Sequence, residues 1–248
     1  MIAGVRLSAS SFMQRTANGK PLIDRIAELG VDYVVAPWAV DAQLHQSIFG
    51  SNDQAQFQPL VARANHWEFP VVLEASLVLE SVNCFEEQLD MAIAQGITHF
   101  EVFPIVQSQG SSEKTTPQAY QPHHLKQLAG WIEDLADNRR AQIVWLPPHT
   151  TTGPLNQDRI RQLMKSGPRA GADVSIRVDA SGQVFAPRGA RTSVGKIQQS
   201  SWDQIWEHCC FQRFRDLVCR NDHCNNCPML TMCASHCPAD HAGWTIEE

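Results

Sequence analysis

The chain has 248 residues, 43% of them hydrophobic, and a formal net charge of -6, which allows a sizeable core divided between one large and one small domain. The acidic balance and the lack of any basic run argue against a nucleic-acid partner, and nowhere do eighteen apolar residues follow one another as a membrane span requires. The N-terminal MIAGVRLSASSFMQ has neither the basic segment nor the apolar stretch of a secretory signal, so a cytoplasmic protein without a membrane partner is expected.

Gly4 to Ser8 reads as a short strand, and Asn18-Gly19-Lys20-Pro21 opens a helix to Leu29, with Pro21 near its first turn and Gly30 as its stop. Val31 to Ala36 is a compact β-branched run that suits a strand buried on both faces. A helix is expected over Ala55 to Trp67, an apolar strand over Pro70 to Leu79, and a helix capped by Asn83 that runs to Gln95 and ends at Gly96. Thr98 to Val106 follows as a strand. Repeated steps of strand then helix with short connections predict a parallel α/β sheet or barrel.

Gln107 to Tyr120 is polar and rich in Ser, Gly and Pro. It reads as a linker, or as a surface loop or lid at a strand end, where α/β proteins place ligands. Pro122 to Ala136 gives an amphipathic helix with Leu125, Leu128, Ile132 and Leu135 on one face, followed by a strand over Ala141 to Leu146 and a helix over Gln157 to Lys165. Breakers from Ser166 to Gly171 mark a boundary, dividing the chain into 1–170 and 171–248. Beyond it Val174 to Val178 and Gln183 to Ala186 form a hairpin around Asp179-Ala180-Ser181-Gly182. Ser201 to Phe214 is expected to be an amphipathic helix, using Trp202, Ile205, Trp206 and Phe214.

That helix leads into a cluster of thiols. Seven of the eight cysteines lie between Cys209 and Cys237, and Cys224, Cys227, Cys233 and Cys237 are spaced C-x2-C-x5-C-x3-C. Two intervening residues let the backbone turn around a metal with both sulfurs pointing inward, and four soft thiolates suit zinc or an iron-sulfur cluster. A disulfide framework belongs to small secreted domains and fits a chain of this length poorly. Of the adjacent pair Cys209 and Cys210, one is expected to pack as a small hydrophobe. Cys84, beside Asn83, reads as a buried or helix-start cysteine. His223, His236 and His241 could replace a missing thiolate but read more simply as surface histidines. Asp41 and His45 are spaced to share a helical face. His123 and His124, at a helix start, have no third ligand in view. Glu74 and Glu101 interrupt apolar strands and either point into a barrel lumen, where they would need a partner or ligand, or face water at a strand end.

The order DASGQVFAP, GKIQQSSWDQIW, FQRFRDL and CNNCPMLTMCASHCP resembles the SPASM domain that follows the barrel in many radical S-adenosylmethionine enzymes, which mature peptides or build cofactors. Gly182, Gly195, Ile197, Ile205 and Trp206 occupy the matching places. The segments VDYVVAPWAVDAQLHQSIFG and NCFEEQL resemble the later part of the barrel that precedes it. The resemblance implies a partial (β/α) barrel beginning at its third strand, followed by a cysteine-rich domain in which thiolates bind auxiliary [4Fe-4S] clusters. The sequence departs from the family in lacking C-x3-C-x2-C and a Gly-Gly-Glu-like segment, and in carrying Ala36-Pro37-Trp38-Ala39 where the family has Ser-Leu-Asp-Gly. Independent cleavage of S-adenosylmethionine is therefore not expected of this chain.

Pro187 and Ser200 stand where the family often has cysteines, and none follows Cys237, which implies one cluster held by Cys224, Cys227, Cys233 and Cys237, with Cys219 as the reserve ligand. The implied role is a binding or electron-transfer subunit. Its partners would be a radical S-adenosylmethionine subunit, a peptide or cofactor precursor, or an electron-transfer protein. The alternatives are the C-terminal part of a truncated or split enzyme, and a zinc-stabilised module without catalysis.

Overall fold

The computed structural model describes residues 3–50, 53–107, 124–146, 149–151, 158, 161, 176–185, 193–209 and 211–212. Five parallel strands stand side by side in sequence order: β1 (Gly4–Arg6), β2 (Tyr33–Ala39), β3 (Val71–Leu77), β4 (His99–Gln107) and β5 (Gln142–Trp145). A short strand, β6 (His149–Thr151), continues along the end of β4 with the register shifted by one residue. Between them lie α1 (Ala9–Met13), α2 (Leu22–Glu28), α3 (Ala42–Phe49), α4 (Phe57–His66), α5 (Val82–Ala94) and α6 (Leu125–Arg139). The strands form where β-branched and apolar residues run together, and every residue of β3 is buried.

Alternation along the strands separates two faces. Val34, Ala36 and Trp38 of β2, Val71, Leu73, Ala75 and Leu77 of β3, and Phe100 and Val102 of β4 join one core. To it α1 contributes Phe12, α2 Ile23 and Ile26, α4 Leu60, Val61 and Ala64, α5 Phe85, Leu89 and Ala92, and α6 Leu128, Ile132 and Leu135. These helical residues recur every three or four positions, so each helix buries one stripe against the same outer face. Aromatic rings fill its centre: Trp38 lies 6.2 Å from Phe85 and 6.5 Å from Phe100, and Phe85 lies 5.8 Å from Trp131. Five helices on one face and strands in sequential order are consistent with a partial β/α fold, while α3 instead packs Ile48 with Ala39, Phe103 and Ile105.

The expected alternation of strands and helices is present, with three corrections. The second strand does not stop at Ala36. Val35 turns its carbonyl toward the amide of Leu7 beyond β1, so Pro37, two residues on, faces the same side past the end of β1, where its missing N–H breaks no ladder. Asn83 is not a cap: the helix starts at Val82 after Ser81, whose hydroxyl accepts from the Val78 amide at 3.0 Å and donates to the Val78 carbonyl. Pro21, expected near the first turn of α2, is its N-cap residue. The helix expected over Ser201 to Phe214 is interrupted after Trp206, where His208 bonds back to Ile205 at 3.2 Å, and helical residues resume at Cys209. Helices α1 and α3 were not expected; Ser8 caps the first and Asp41 the second through side-chain oxygens.

A second sheet is antiparallel. The strands β7 (Arg177–Val178), β8 (Gln183–Phe185) and β9 (Gly195–Lys196) pair in that order, with the expected turn at Asp179 to Gly182. Asp179 Oδ1 accepts from the amides of Ser181 and Gln183 at 2.9 and 3.0 Å, which fixes the turn, and Gly182 has φ 79°. Val184, Ile205 of α7 (Trp202–Trp206) and Phe211 form their own small core. The segment expected at Ser166–Gly171, most of the polar stretch from Gln107 to Tyr120, and the helix expected at Gln157–Lys165 apart from Asp158 and Arg161, which are helical, lie outside the described residues.

Candidate functional site

The candidate ligands Cys219, Cys224, Cys227, Cys233 and Cys237 lie outside the described residues, as do His123, His223, His236, His241 and Cys210. Among the described residues no group of three or more His, Cys, Asp or Glu is arranged to hold a metal. Cys209 is exposed, so it is not the packed hydrophobe of its pair; its Sγ lies 3.8 Å from Nδ1 of His208. Cys84 is half-buried and its thiol donates to the Ser81 carbonyl at 3.3 Å, while burial pushes its pKa up, which leaves it an inert helix-start cysteine as expected.

The inner face of the parallel sheet, opposite α1, α2, α4, α5 and α6 and covered in part by Ile48 of α3, is where the chemistry gathers. Strand registers set it out in rows: Arg6, Val35, Val72 and His99, then Pro37, Glu74, Glu101 and Val144, then Ala39, Ser76 and Phe103. Glu74 is 2% exposed, so it is a lumen residue and not a strand end facing water. Arg6 reaches across β2 and forks onto it, Nε to Oε2 at 2.7 Å and Nη2 to Oε1 at 2.6 Å. This bidentate pairing holds a carboxylate that could not otherwise stay charged there. Burial pushes the Glu74 pKa up, and Arg6, helped by Arg177 of β7, pulls against it.

Glu101 is the register neighbour of Glu74. Burial first, and then the negative charge of Glu74, raise its pKa to about 7, with Arg6 opposing. The fork of Arg6 goes to Glu74, and its charge is felt at Glu101 only through space. The raised pKa of Glu101 places a proton donor and acceptor, active near neutral pH, on the inner face. Glu74 and Glu101 were legible as interruptions of apolar strands. Arg6 and Ser76 were missed, although the period of two that carries Glu74 inward also carries Ser76 there.

Asp41 and His45 do not act together. Asp41 Oδ1 caps α3 by accepting from the Leu44 amide at 2.6 Å. His45 is 1% exposed; its Nδ1 accepts from the Ala39 amide at 3.2 Å, so Nε2 bears the hydrogen and donates to Asp53 Oδ2 at 3.0 Å. Burial pushes Asp53 up, but the bonds from His45 and from the Ser10 amide at 2.7 Å outweigh it and hold its pKa low. With both ring nitrogens engaged, His45 is a strut joining β2, α3 and α1, and no base.

No family model and no curated protein matches the sequence. Solved structures do. SuiB of Streptococcus suis bound to S-adenosylmethionine aligns over 94% of this chain and 54% of its own, at 16% identity and TM-score 0.55. SuiB bound to its precursor peptide SuiA aligns over the same shares at 15% identity and TM-score 0.55, and SuiB alone at 15% and 0.53. At such identity the likeness is one of fold alone. The chain spans about half the length of SuiB.

Proposed function

We propose that this chain is an iron-sulfur protein related to the radical S-adenosylmethionine and SPASM enzymes that mature peptides or build cofactors, serving as a binding or electron-transfer subunit without cleaving S-adenosylmethionine itself. The observation that carries the reading is the C-x2-C-x5-C-x3-C spacing of Cys224, Cys227, Cys233 and Cys237 in a chain whose fold is shared with SuiB over 94% of its length. The donor set fits the group: four thiolates bind iron-sulfur clusters or zinc. In this reading residues 1–170 are the partial barrel and 171–248 the cluster-binding domain. Cys219 is the reserve ligand, and a bound cluster supplies one-electron transfer. Because SuiB has been observed with a precursor peptide, a peptide is the proposed ligand of the barrel portion, where the inner face offers charge at Arg6 and Glu74 and a proton at Glu101.

Anaerobic reconstitution tests this directly, with about four iron and four sulfide expected per chain for a single cluster. Stoichiometric zinc with no visible absorption would sink it and leave a zinc-stabilised module.

A second reading makes the chain part of a split or truncated enzyme. Among the described residues β1 pairs with β2 alone, leaving a parallel edge open to a further strand. A neighbouring chain that carries C-x3-C-x2-C and co-purifies would support it. Absence of that motif both from neighbouring chains and from the coding sequence upstream of Met1, in any frame, would remove its basis.

A further inference from the structure

Next to the small antiparallel sheet, a stack of three aromatic rings runs from a buried core out to solvent. Phe211 is fully buried beside Val184 and Ile205. Trp206 lies 5.9 Å from it with the planes 28° apart, and Trp202, one turn earlier on α7, lies 5.4 Å from Trp206 at 14°. Trp202 is the outermost ring, with a ring partner on one side only, and it is 41% exposed. The strand registers add apolar surface around α7. Val178 of β7 pairs with Val184, and Ile197, whose amide donates to the Gly182 carbonyl at 2.8 Å, stands two residues beyond Gly195, the other partner of Val184. Both therefore share the face on which Val184 meets Ile205 of α7, yet they are 42% and 37% exposed. Asp203, next to Trp202, is exposed, and its carboxylate makes no hydrogen bond or ion pair among the described residues. Glu207, four residues on and so on the same side of the helix, is exposed as well and accepts from Gln212 Nε2 at 3.1 Å. A tryptophan fixed by stacking, with apolar surface around its helix and carboxylates beside it, is the makeup of a recognition surface.

We propose that α7 docks an arginine-bearing segment of a partner polypeptide, the guanidinium lying on the Trp202 indole with Asp203 as its counter-charge. Charge complementarity selects the occupant. A guanidinium is planar and always charged, and it can stack on an indole while its edge donates to a carboxylate. An ammonium is more strongly hydrated and has no planar face, and a purely apolar segment would desolvate Asp203 and give it no partner. Nucleic acid would bring phosphates against two carboxylates. Val178 and Ile197 give the methylene stem or an adjoining side chain an apolar surface to lie on. Because Trp202 is already held by Trp206, little side-chain freedom is lost on binding. The inference goes beyond the proposed function: it needs neither a bound cluster nor a peptide on the inner face of the parallel sheet.

The test is titration of the full chain with acetyl-Gly-Arg-Gly-Arg-Gly-amide, followed by NMR, beside two control peptides in which lysine or the neutral citrulline replaces both arginines. Saturable binding that shifts the Trp202 indole resonance is expected, with the citrulline peptide weaker by about fivefold or more and the lysine peptide in between. Trp202→Ala should weaken binding of the arginine peptide about fivefold or more, and Asp203→Asn about two- to threefold, with circular dichroism unchanged because both side chains are exposed. Trp202→Phe, which keeps a ring, should retain part of the affinity. Equal binding of the citrulline peptide, no saturable binding of the arginine peptide, or full affinity in Trp202→Ala overturns the inference. Asp203→Asn and the citrulline control leave the ring stack untouched, so the inference can still be refuted if Trp202→Ala fails to fold. Iron content measured on the same samples reports on the cluster separately, so failure of one reading is distinguishable from failure of the other.

Discussion

Buried charge in this protein is held by forked guanidinium pairs, and their worth depends on how far each partner is removed from water. Asp24 of α2 is 1% exposed and receives Arg63 of α4 through two bonds of 2.6 Å, with Trp67 Nε1 at 3.0 Å. The Arg63 bonds are the main cause holding its pKa below the usual carboxylate value. Arg63→Ala would strand that carboxylate, and a loss of stability in urea unfolding larger than that of Arg139→Ala is expected. Arg139 also bridges two helices, but its partners Asp90 and Glu86 are more than half exposed. Arg139→Ala should cost less than about 1 kcal/mol.

Glu101 gives a pH prediction. Its pKa is raised on folding, to about 7 against the ordinary 4.5, so the folded state holds the proton more tightly than the unfolded one. Stability is then greatest below about 4.5 and falls as pH rises to about 7. Glu101→Gln should therefore raise stability at pH 8, by up to roughly 3 kcal/mol, and leave it almost unchanged at pH 4. Thermal unfolding across that range reads the difference, and an equal gain at both ends would contradict it.

At the scale of elements, the helices are held by what they bury and the small sheet by its turn. Phe85 of α5 is fully buried between Trp38 and Trp131. Phe85→Ala should cost about 3–5 kcal/mol, because it removes the ring on which β2, α5 and α6 converge. In the β7–β8 turn Gly182 has φ 79°, and a Cβ there would stand 2.3 Å from the Gln198 side chain. That side chain is flexible and can move, so the backbone strain dominates. Gly182→Ala should cost roughly 1–2 kcal/mol, read as faster amide exchange in β7 and β8 with little change in the parallel sheet. Equal acceleration in both sheets would mean that the two unfold as one unit.

At the scale of the whole molecule, the proposed cluster and the barrel should respond separately to substitution. Replacing Cys224, Cys227, Cys233 or Cys237 by alanine should lower iron content and C-terminal order together, since binding and folding of a small metal domain are coupled. Cys84→Ala should leave iron unchanged, because that thiol already bonds to the backbone at the start of α5. Loss of iron in Cys219→Ala with none in Cys237→Ala would move the ligand set by one cysteine. Full retention in Cys224→Ala and Cys227→Ala would remove the assignment.

By itself the sequence determined the order of strands and helices in the α/β portion, since β-branched runs such as Val71 to Leu77 and three-to-four spacings such as Leu128, Ile132 and Leu135 are local patterns. It also located the hairpin at Asp179 to Gly182 and showed the cysteine spacing, which is a property of the chain alone. The tertiary structure decided that Pro37 belongs inside a strand, because only the early end of β1 leaves its missing N–H without consequence. It decided as well that His45 is a strut, because its partners Ala39 and Asp53 come from opposite sides of α3 in the chain. The inner face belongs there too: Arg6 and Glu74 are 68 residues apart, and no local pattern records that a guanidinium on the edge strand crosses its neighbour to take this carboxylate.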